Sequence, residues 1–213
     1  MDKINITLPD KSIKEVLKGT TPQDIASLIG PALSKAVVVS KVDGVLMDLN
    51  TKIKKDCNLE LFTGETSEGH DTLLHSTAHL MAQAVKKLFP KAKVSIGPTI
   101  ENRFYYDFDV ENTFTQDDLL KIEQKMKELA KSSQSIFRKE VSTKEALKIF
   151  NELGEDYKVE IIGQINPKDT ITTYKQTDFI DLCRGPHVSN TSKIKYFKLL
   201  STSGAYWRGN ENN

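Results

Sequence analysis

His75-Ser76-Thr77-Ala78-His79 sets two imidazoles four residues apart. On a helix that spacing brings them to one flank, a turn apart, where they can ligate a metal or share a proton-transfer task. Two polar residues bordering a buried face would give the same pattern. This is not the zinc-protease signature, which needs Glu directly after the first His, because Ser76 stands there. Cys183-Arg184-Gly185-Pro186-His187 is the second cluster, so three of the four histidines and one of the two cysteines fall in two tight motifs. Alone, Gly185-Pro186 reads as a turn and Cys183 as an ordinary buried thiol. Together, His75, His79, Cys183 and His187 form a set that zinc accepts. Four protein ligands would leave little room for substrate, so either three ligate and one does acid–base work, or no metal is present. The spacing leaves both open.

Asp181 precedes Cys183 by two residues, so on a strand both side chains point the same way, with Phe179, Ile180 and Leu182 as apolar neighbours. A strand-end carboxylate capping the Gly185 loop is the plainer alternative. Tyr105 and Tyr106 offer rings on which a base could stack, although core aromatics are the commoner outcome. His70 and Cys57 have no such company and read as structural or surface residues. Phe137-Arg138-Lys139-Glu140 imitates part of a class II synthetase ATP site, but no later Gly-x-Gly-x-Gly segment with Arg accompanies it. Arg138 therefore reads as a solvated strand residue, and no phosphate-cradling glycine loop encodes ATP chemistry here.

The elements that must hold these residues divide the chain in two. Residues 1–62 alternate in the manner of short strands at Ile4–Leu8, Ser12–Leu17, Ala36–Val39 and Leu59–Phe62, with an Asp43-Gly44 hairpin. Thr20-Thr21-Pro22 starts a helix that Gly30-Pro31 ends. This order is that of a ubiquitin-like β-grasp. The polar run from Thr63 to Gly69 predicts the boundary, and an α+β second domain follows over 67–213. A helix is predicted from Asp71 to Phe89 with Leu74, Ala78, Met81, Val85 and Leu88 on its buried stripe. Strands follow at Val94–Ile96 and Phe104–Phe108, helices at Thr115–Lys131 and Thr143–Leu153, then a strand-and-loop Cys/His subregion at about 170–208.

The chain has 213 residues, 30 Lys+Arg against 29 Asp+Glu, and 38% hydrophobic residues, enough for a folded core of one or two domains. No apolar run suffices for a membrane span, and the start lacks a signal-peptide core. Two distant cysteines make no disulfide framework, which implies a reducing, intracellular setting. A net charge of +1 weighs against a DNA-coating protein. Lysines nevertheless cluster at 86–93, 121–131 and 193–198, a weak signal for contact with a phosphate backbone.

With these motifs in place, the chain resembles the N-terminal region of bacterial-type threonyl-tRNA synthetases. Residues 1–62 resemble the family's TGS domain through Lys18-Gly19-Thr20-Thr21-Pro22 and Ile29-Gly30-Pro31; residues 67–213 resemble its editing domain. The carrying motifs are the two His/Cys clusters, Ile96–Asn102, Phe104–Phe108, Asp181–His187 and Gly204-Ala205-Tyr206-Trp207-Arg208-Gly209. Arg103 stands where the family usually has Gly, a change expected to touch the local turn and not the reaction. Alanyl-tRNA editing proteins share the His/Cys pairs but bring no TGS domain.

The resemblance implies hydrolysis of seryl-tRNA mischarged on the threonine tRNA. It assigns catalytic roles to His75, His79, Lys158, Cys183 and His187, and substrate binding to Asp181, Tyr105 and Tyr106. From spacing alone Lys158 is an isolated surface lysine. The resemblance further implies a tRNA partner presenting its 3′-terminal adenosine, no membrane, and a cytoplasmic setting. No cofactor is expected for editing, though zinc on His75, His79, Cys183 and His187 would suit the alanyl relatives. ATP and zinc are expected only in an aminoacylation domain outside this chain, and a homodimer only in the longer enzyme, the fragment itself being a monomer. The end at Asn213 suggests a piece of a longer protein. A non-catalytic RNA-binding or regulatory module is the rival reading, and a metallohydrolase of small esters a third.

Overall fold

A computed structural model describes residues 2–204. Strands β1 (Lys3–Thr7) and β2 (Ile13–Leu17) form an antiparallel hairpin. Two short helices follow, α1 (Pro22–Ile29) and α2 (Pro31–Ala36), then β3 (Val37–Val42), β4 (Val45–Met47) and β5 (Cys57–Thr63). The sheet order β2-β1-β5-β3-β4 places β5 parallel to β1 and antiparallel to β3, the expected β-grasp. Thr21 caps α1 with a reciprocal bond from Asp24, and Pro22 occupies its first turn. Asp43 and Gly44 both take positive φ in the β3–β4 turn, as an Asp-Gly hairpin requires. Pro31 does not merely end α1; it opens α2, because its fixed φ also suits a first helical turn.

The second unit is built around α3 (Ser67–Leu88). The helix starts four residues earlier than the apolar stripe predicts, because the Thr66 hydroxyl accepts from the Gly69 N–H at 3.1 Å and caps it. The polar run expected as a separator is thus the end of β5, a tight turn and the first turn of α3. A side chain at Gly69 would meet the Thr63 carbonyl oxygen at 1.9 Å. Burial of α3 is also wider than one stripe. Ser76, Thr77, His79, Leu80, Gln83 and Ala84 are buried beside Ala78 and Val85, so neighbours cover the helix on several sides.

Two short hairpin-like ladders follow: β6 (Lys93–Val94) with β9 (Phe108–Asp109), and β7 (Thr99–Ile100) with β8 (Arg103–Phe104). The single strand predicted over Phe104–Phe108 is therefore broken at Tyr105-Tyr106-Asp107. Arg103 pairs with Ile100 across a turn in which Glu101 and Asn102 both have positive φ. Helix α4 (Gln116–Lys131) is capped by Thr115 and Asp118. Strand β10 (Ile136–Val141), helix α5 (Thr143–Glu152), helix α6 (Asp156–Gln164), and strands β11 (Ile171–Gln176) and β12 (Phe179–Leu182) complete the order. β10-β11-β12 is an antiparallel sheet. Helix α6 is absent from the sequence expectation; it is short, and Glu155 before it supplies no side-chain cap to announce it.

The first unit has its own core of Ile4, Ile6, Val16, Ile25, Ile53, Cys57 and Leu59. The larger core is shared: Val38 and Val39 of β3 pack in one cluster with Leu80, Ala84 and Val85 of α3, Ile122 and Met126 of α4, and Tyr174, Val188 and Ile194. The β-grasp unit is thereby bound to the second unit through side chains as well as through the chain. Among the described residues no helix is long and apolar enough to cross a membrane.

Candidate active site

Helix α3 presents His75 and His79 on one flank, and the loop after β12 brings Cys183 and His187 up to them. Four potential ligand atoms from these residues lie within 4.8 Å of one another. Cys183 Sγ is 3.2 Å from His75 Nε2 and 3.4 Å from His187 Nε2, and it accepts from the Gly185 N–H at 3.2 Å. The imidazole of His187 lies 4.3 Å from that of His75 and 4.2 Å from that of His79, centroid to centroid.

The surrounding bonds give this cluster a direction. Ser76 Oγ accepts from the Val188 N–H at 3.0 Å and lies 3.0 Å from His187 Nδ1, so its own proton is free to go to that nitrogen. His187 Nε2 then carries the proton and donates to Cys183. His75 is hydrogen-bonded to the backbone of Pro186, whose only polar group is a carbonyl. In neutral His75 the other nitrogen, Nε2, is therefore an acceptor facing the thiol. Burial pushes the Cys183 thiol up to about 12, so sulfur keeps its proton near neutrality. Burial likewise holds His75 below the ordinary imidazole range, and His79 and His187 well below it, with mutual repulsion adding to both. Three neutral imidazoles and one thiol result.

Behind the histidines lies a buried ionic group. Lys158, on α6, is 2% exposed, and its Nζ lies 2.6 Å from Asp181 Oδ1. Tyr106 donates its hydroxyl to Asp181 Oδ2 at 2.6 Å and accepts from Lys158 Nζ at 3.0 Å. Asp181 Oδ1 also accepts from the Leu182 N–H at 2.8 Å, and His79 Nδ1 lies 3.4 Å from Oδ2. A buried pair of this kind persists only when its hydrogen bonds are filled, and removing one member leaves a charge uncompensated at a cost of about 3–5 kcal/mol. Burial and the Asp181 charge push the Tyr106 phenol well up, so it stays protonated.

The sequence reading of Lys158 as a surface residue is corrected here. Helix α6 is drawn inward by Glu155, which accepts from the Val94 N–H at 2.8 Å and pairs with Lys86 at 2.7 Å, and the apolar Ile162 on the same helix is buried. Asp181 is buried and directed at the cluster, as the strand alternation predicts. Tyr106 joins it, whereas Tyr105 is exposed and contributes its backbone N–H to Pro98 at 3.5 Å. His75 opens onto a cleft of about 500 Å³ lined by Leu46, Asp71, Thr72, Pro98, Thr99 and Pro186.

The model of the TGS domain matches residues 4–63, and the model described as the threonyl and alanyl tRNA synthetase second additional domain matches residues 171–213. The threonine–tRNA ligase of Pelobacter propionicus is 52% identical over 213 residues, all of this chain and 33% of its own length. That of Geobacillus kaustophilus is 50% identical over 212 residues, 100% of this chain and 32% of its own length. That of Legionella pneumophila is 50% identical over 209 residues, 98% of this chain and 33% of its own length. The chain corresponds to the N-terminal region of bacterial threonyl-tRNA synthetase. It spans about a third of the length of the curated relatives it matches.

Against this family background, several residues at the TGS-bearing chain's site escaped sequence reasoning. Ser76 sits inside a recognised motif yet looks like a helix filler. Asp48 and Tyr174, described below, carry no local signal. The motif residues Tyr206, Trp207 and Arg208 lie outside the described residues. The lysine clusters are largely neutralised: Lys87 pairs with Asp178, Lys91 with Glu111, Lys93 with Asp156, Lys125 with Glu128, and Lys127 and Lys198 with Glu123. Lys193 donates to the carbonyls of Lys35 and Val37. Arg138 bonds to Glu140 on β10, the strand role expected of it.

Proposed function

We propose that this chain hydrolyses the ester of serine mischarged on threonine-specific tRNA, as a cytoplasmic proofreading region of a threonine–tRNA ligase. The observation that carries the reading is the meeting of the buried Lys158–Asp181–Tyr106 group with the neutral His75–Cys183–His187 cluster, at a cleft reached through His75. Binding alone requires neither a desolvated ammonium nor an imidazole held neutral with its acceptor nitrogen against a thiol. Serine and threonine share the hydroxyl and differ by one methyl, a difference that discriminates by only about 10–200-fold. A second, hydrolytic site supplies the rest. The division into a TGS unit over 1–62 and an editing unit from 67 belongs to the same reading.

In this reading a water attacks the seryl ester carbonyl. His75 Nε2 takes the water's proton, which the imidazole then delivers to the departing ribose oxygen, leaving free serine and a free terminal hydroxyl. In the same reading Lys158, its ammonium fixed by Asp181 and Tyr106, supplies the positive charge that stabilises the developing oxyanion. His79, Cys183 and His187 bind the adenosine end and the serine amino and hydroxyl groups, and the exposed Tyr105 offers a stacking surface for RNA. The remaining partners and the ATP-dependent chemistry of the ligase belong to the part of its length not covered here.

The donor set of His75, His79, Cys183 and His187 does fit a zinc ion in type and spacing. Held by three of the four, zinc would leave one position for a water that it would polarise. One feature favours the metal-free route: the Lys158 charge is felt at His79, and a cation there repels zinc.

The test is single-turnover hydrolysis of seryl-tRNA by the chain and by a His75→Ala, Lys158→Met double variant, each after exhaustive chelation. The chelated parent is expected to retain its rate and the double variant to lose roughly 100-fold or more. Equal rates for parent and variant would favour a non-catalytic tRNA-binding module. Loss on chelation, restored by zinc, would overturn the metal-free route.

A further inference from the structure

Asp48 belongs to the β-grasp unit, one residue beyond β4, yet both of its side-chain oxygens are used by the other unit. Oδ1 accepts from the His187 N–H at 2.7 Å, and Oδ2 accepts from the Tyr174 hydroxyl at 2.8 Å. Asp48 is 9% exposed and lies 139 and 126 residues from these partners along the chain. Burying a carboxylate is unfavourable unless its lone pairs are filled. Here the His187 N–H and the Tyr174 hydroxyl of the second unit fill them.

Tyr174 extends the contact. Its hydroxyl lies over Gly185, where an added Cβ would stand 1.8 Å from that oxygen, and Gly185 takes φ +75°. Its ring meets His187 edge-on, with centroids 4.4 Å apart. One carboxylate from the first unit thus holds His187 directly and, through Tyr174, the Gly185 turn. The same turn delivers the Gly185 N–H to Cys183 Sγ and the Pro186 carbonyl to His75. Arg138 and Cys183 are the other charged or titratable groups that reach this pair.

We propose that Asp48 is a positioning residue of the hydrolytic site: the β-grasp unit completes that site by clamping the Cys183–His187 turn against α3. The kinetic part rests on the hydrolytic reading above; the geometric part does not. Asp48 touches no reacting atom. It sets where Cys183 and His187 stand relative to His75.

The test uses the full chain with Asp48→Ala, Asp48→Asn and Tyr174→Phe. Asn keeps an acceptor for the His187 N–H and turns an amide toward the Tyr174 oxygen, which can accept. Asp48→Ala is expected to lower kcat for seryl-tRNA hydrolysis about 30-fold with KM within about twofold, since a displacement near 1 Å costs on the order of 100-fold. Asp48→Asn should recover to within about threefold of the parent. The His187 amide proton resonance, held downfield by its carboxylate acceptor, should move upfield in Asp48→Ala and stay nearer the parent in Asp48→Asn.

A kcat for Asp48→Ala within twofold of the parent overturns the proposal, as does a loss that Asp48→Asn does not recover. Where Asp48→Ala fails to fold, Tyr174→Phe decides, with a severalfold fall in kcat expected and an unchanged kcat overturning. If the parent itself hydrolyses no seryl-tRNA, the hydrolytic reading fails. The amide resonance then judges the clamp alone: an unmoved His187 signal in Asp48→Ala, or in Tyr174→Phe if the former is unfolded, overturns it.

Discussion

His79 and His187 are 5% and 1% exposed, and burial keeps both imidazoles neutral well below the ordinary range. In the unfolded chain each titrates near about 6.5. Below that pH the unfolded state binds protons that the folded state refuses, so stability is lost as pH falls and is fully present above it. At pH 5.5 the two residues are therefore expected to leave the protein less stable than at pH 7.5. Urea unfolding of metal-free protein at the two pH values measures this; a flat or rising stability toward pH 5.5 contradicts it. The same residues show what a sequence displays. Two His/Cys clusters announce themselves because histidine and cysteine are scarce here and sit at helical and turn spacings. Lys158 announces nothing, because one lysine among many gains its meaning only from Asp181 and Tyr106, which lie 23 and 52 positions away. Asp48 is silent for the same reason.

Elements carry this information unevenly. Capping residues such as Thr21, Thr66 and Thr115 are local, so α1 and α4 are legible nearly to the residue, and the Thr66 cap marks the start of α3 just as locally. Helix α6 is not, since its inward pull comes from Glu155 reaching Val94 across the fold. The segment between β6 and β9 is the subtlest. Its residues alternate like a strand, but at Gly97 the backbone passes directly under the Tyr106 ring, where a Cβ would come 2.2 Å from Cδ2. Ring and glycine fix one another, and the ring fixes the hydroxyl that joins Lys158 to Asp181. Gly97→Ala must therefore shift Tyr106, with an overpacking cost of about 1–3 kcal/mol and a fall in hydrolysis of roughly 10–100-fold. Gly163→Ala is the control: its Cβ meets nothing within 4 Å, and it lies inside α6 where Ala favours the helix. Equal rates for the two variants would show that the Gly97 contact does not set the ring.

At the scale of the molecule, the two units differ in fold, and beside the first unit's own core they share the larger one. Val38 and Val39 of the β-grasp sheet lie in the same buried cluster as Leu80 and Ala84 of α3 and Tyr174 of β11. Asp48 adds polar links between the units, and Lys193 adds its bonds to Lys35 and Val37. Opening either unit alone would expose apolar surface of the other, at about 25 cal/mol per Å² uncovered. The boundary visible in sequence pattern is therefore not expected to be a boundary in stability. Unfolding in urea should be a single transition, the same by far-UV circular dichroism and by tyrosine fluorescence. Native-state hydrogen exchange gives the sharper measurement, because it reads opening residue by residue. Val38 and Val39 should exchange through the same opening as Leu80 and Ala84, with matching free energies and matching dependence on denaturant. If the valines instead opened through a separate, lower-energy step while α3 stayed protected, the β-grasp unit would be a detachable appendage. A clamp that crossed such a joint would then hold the site only part of the time.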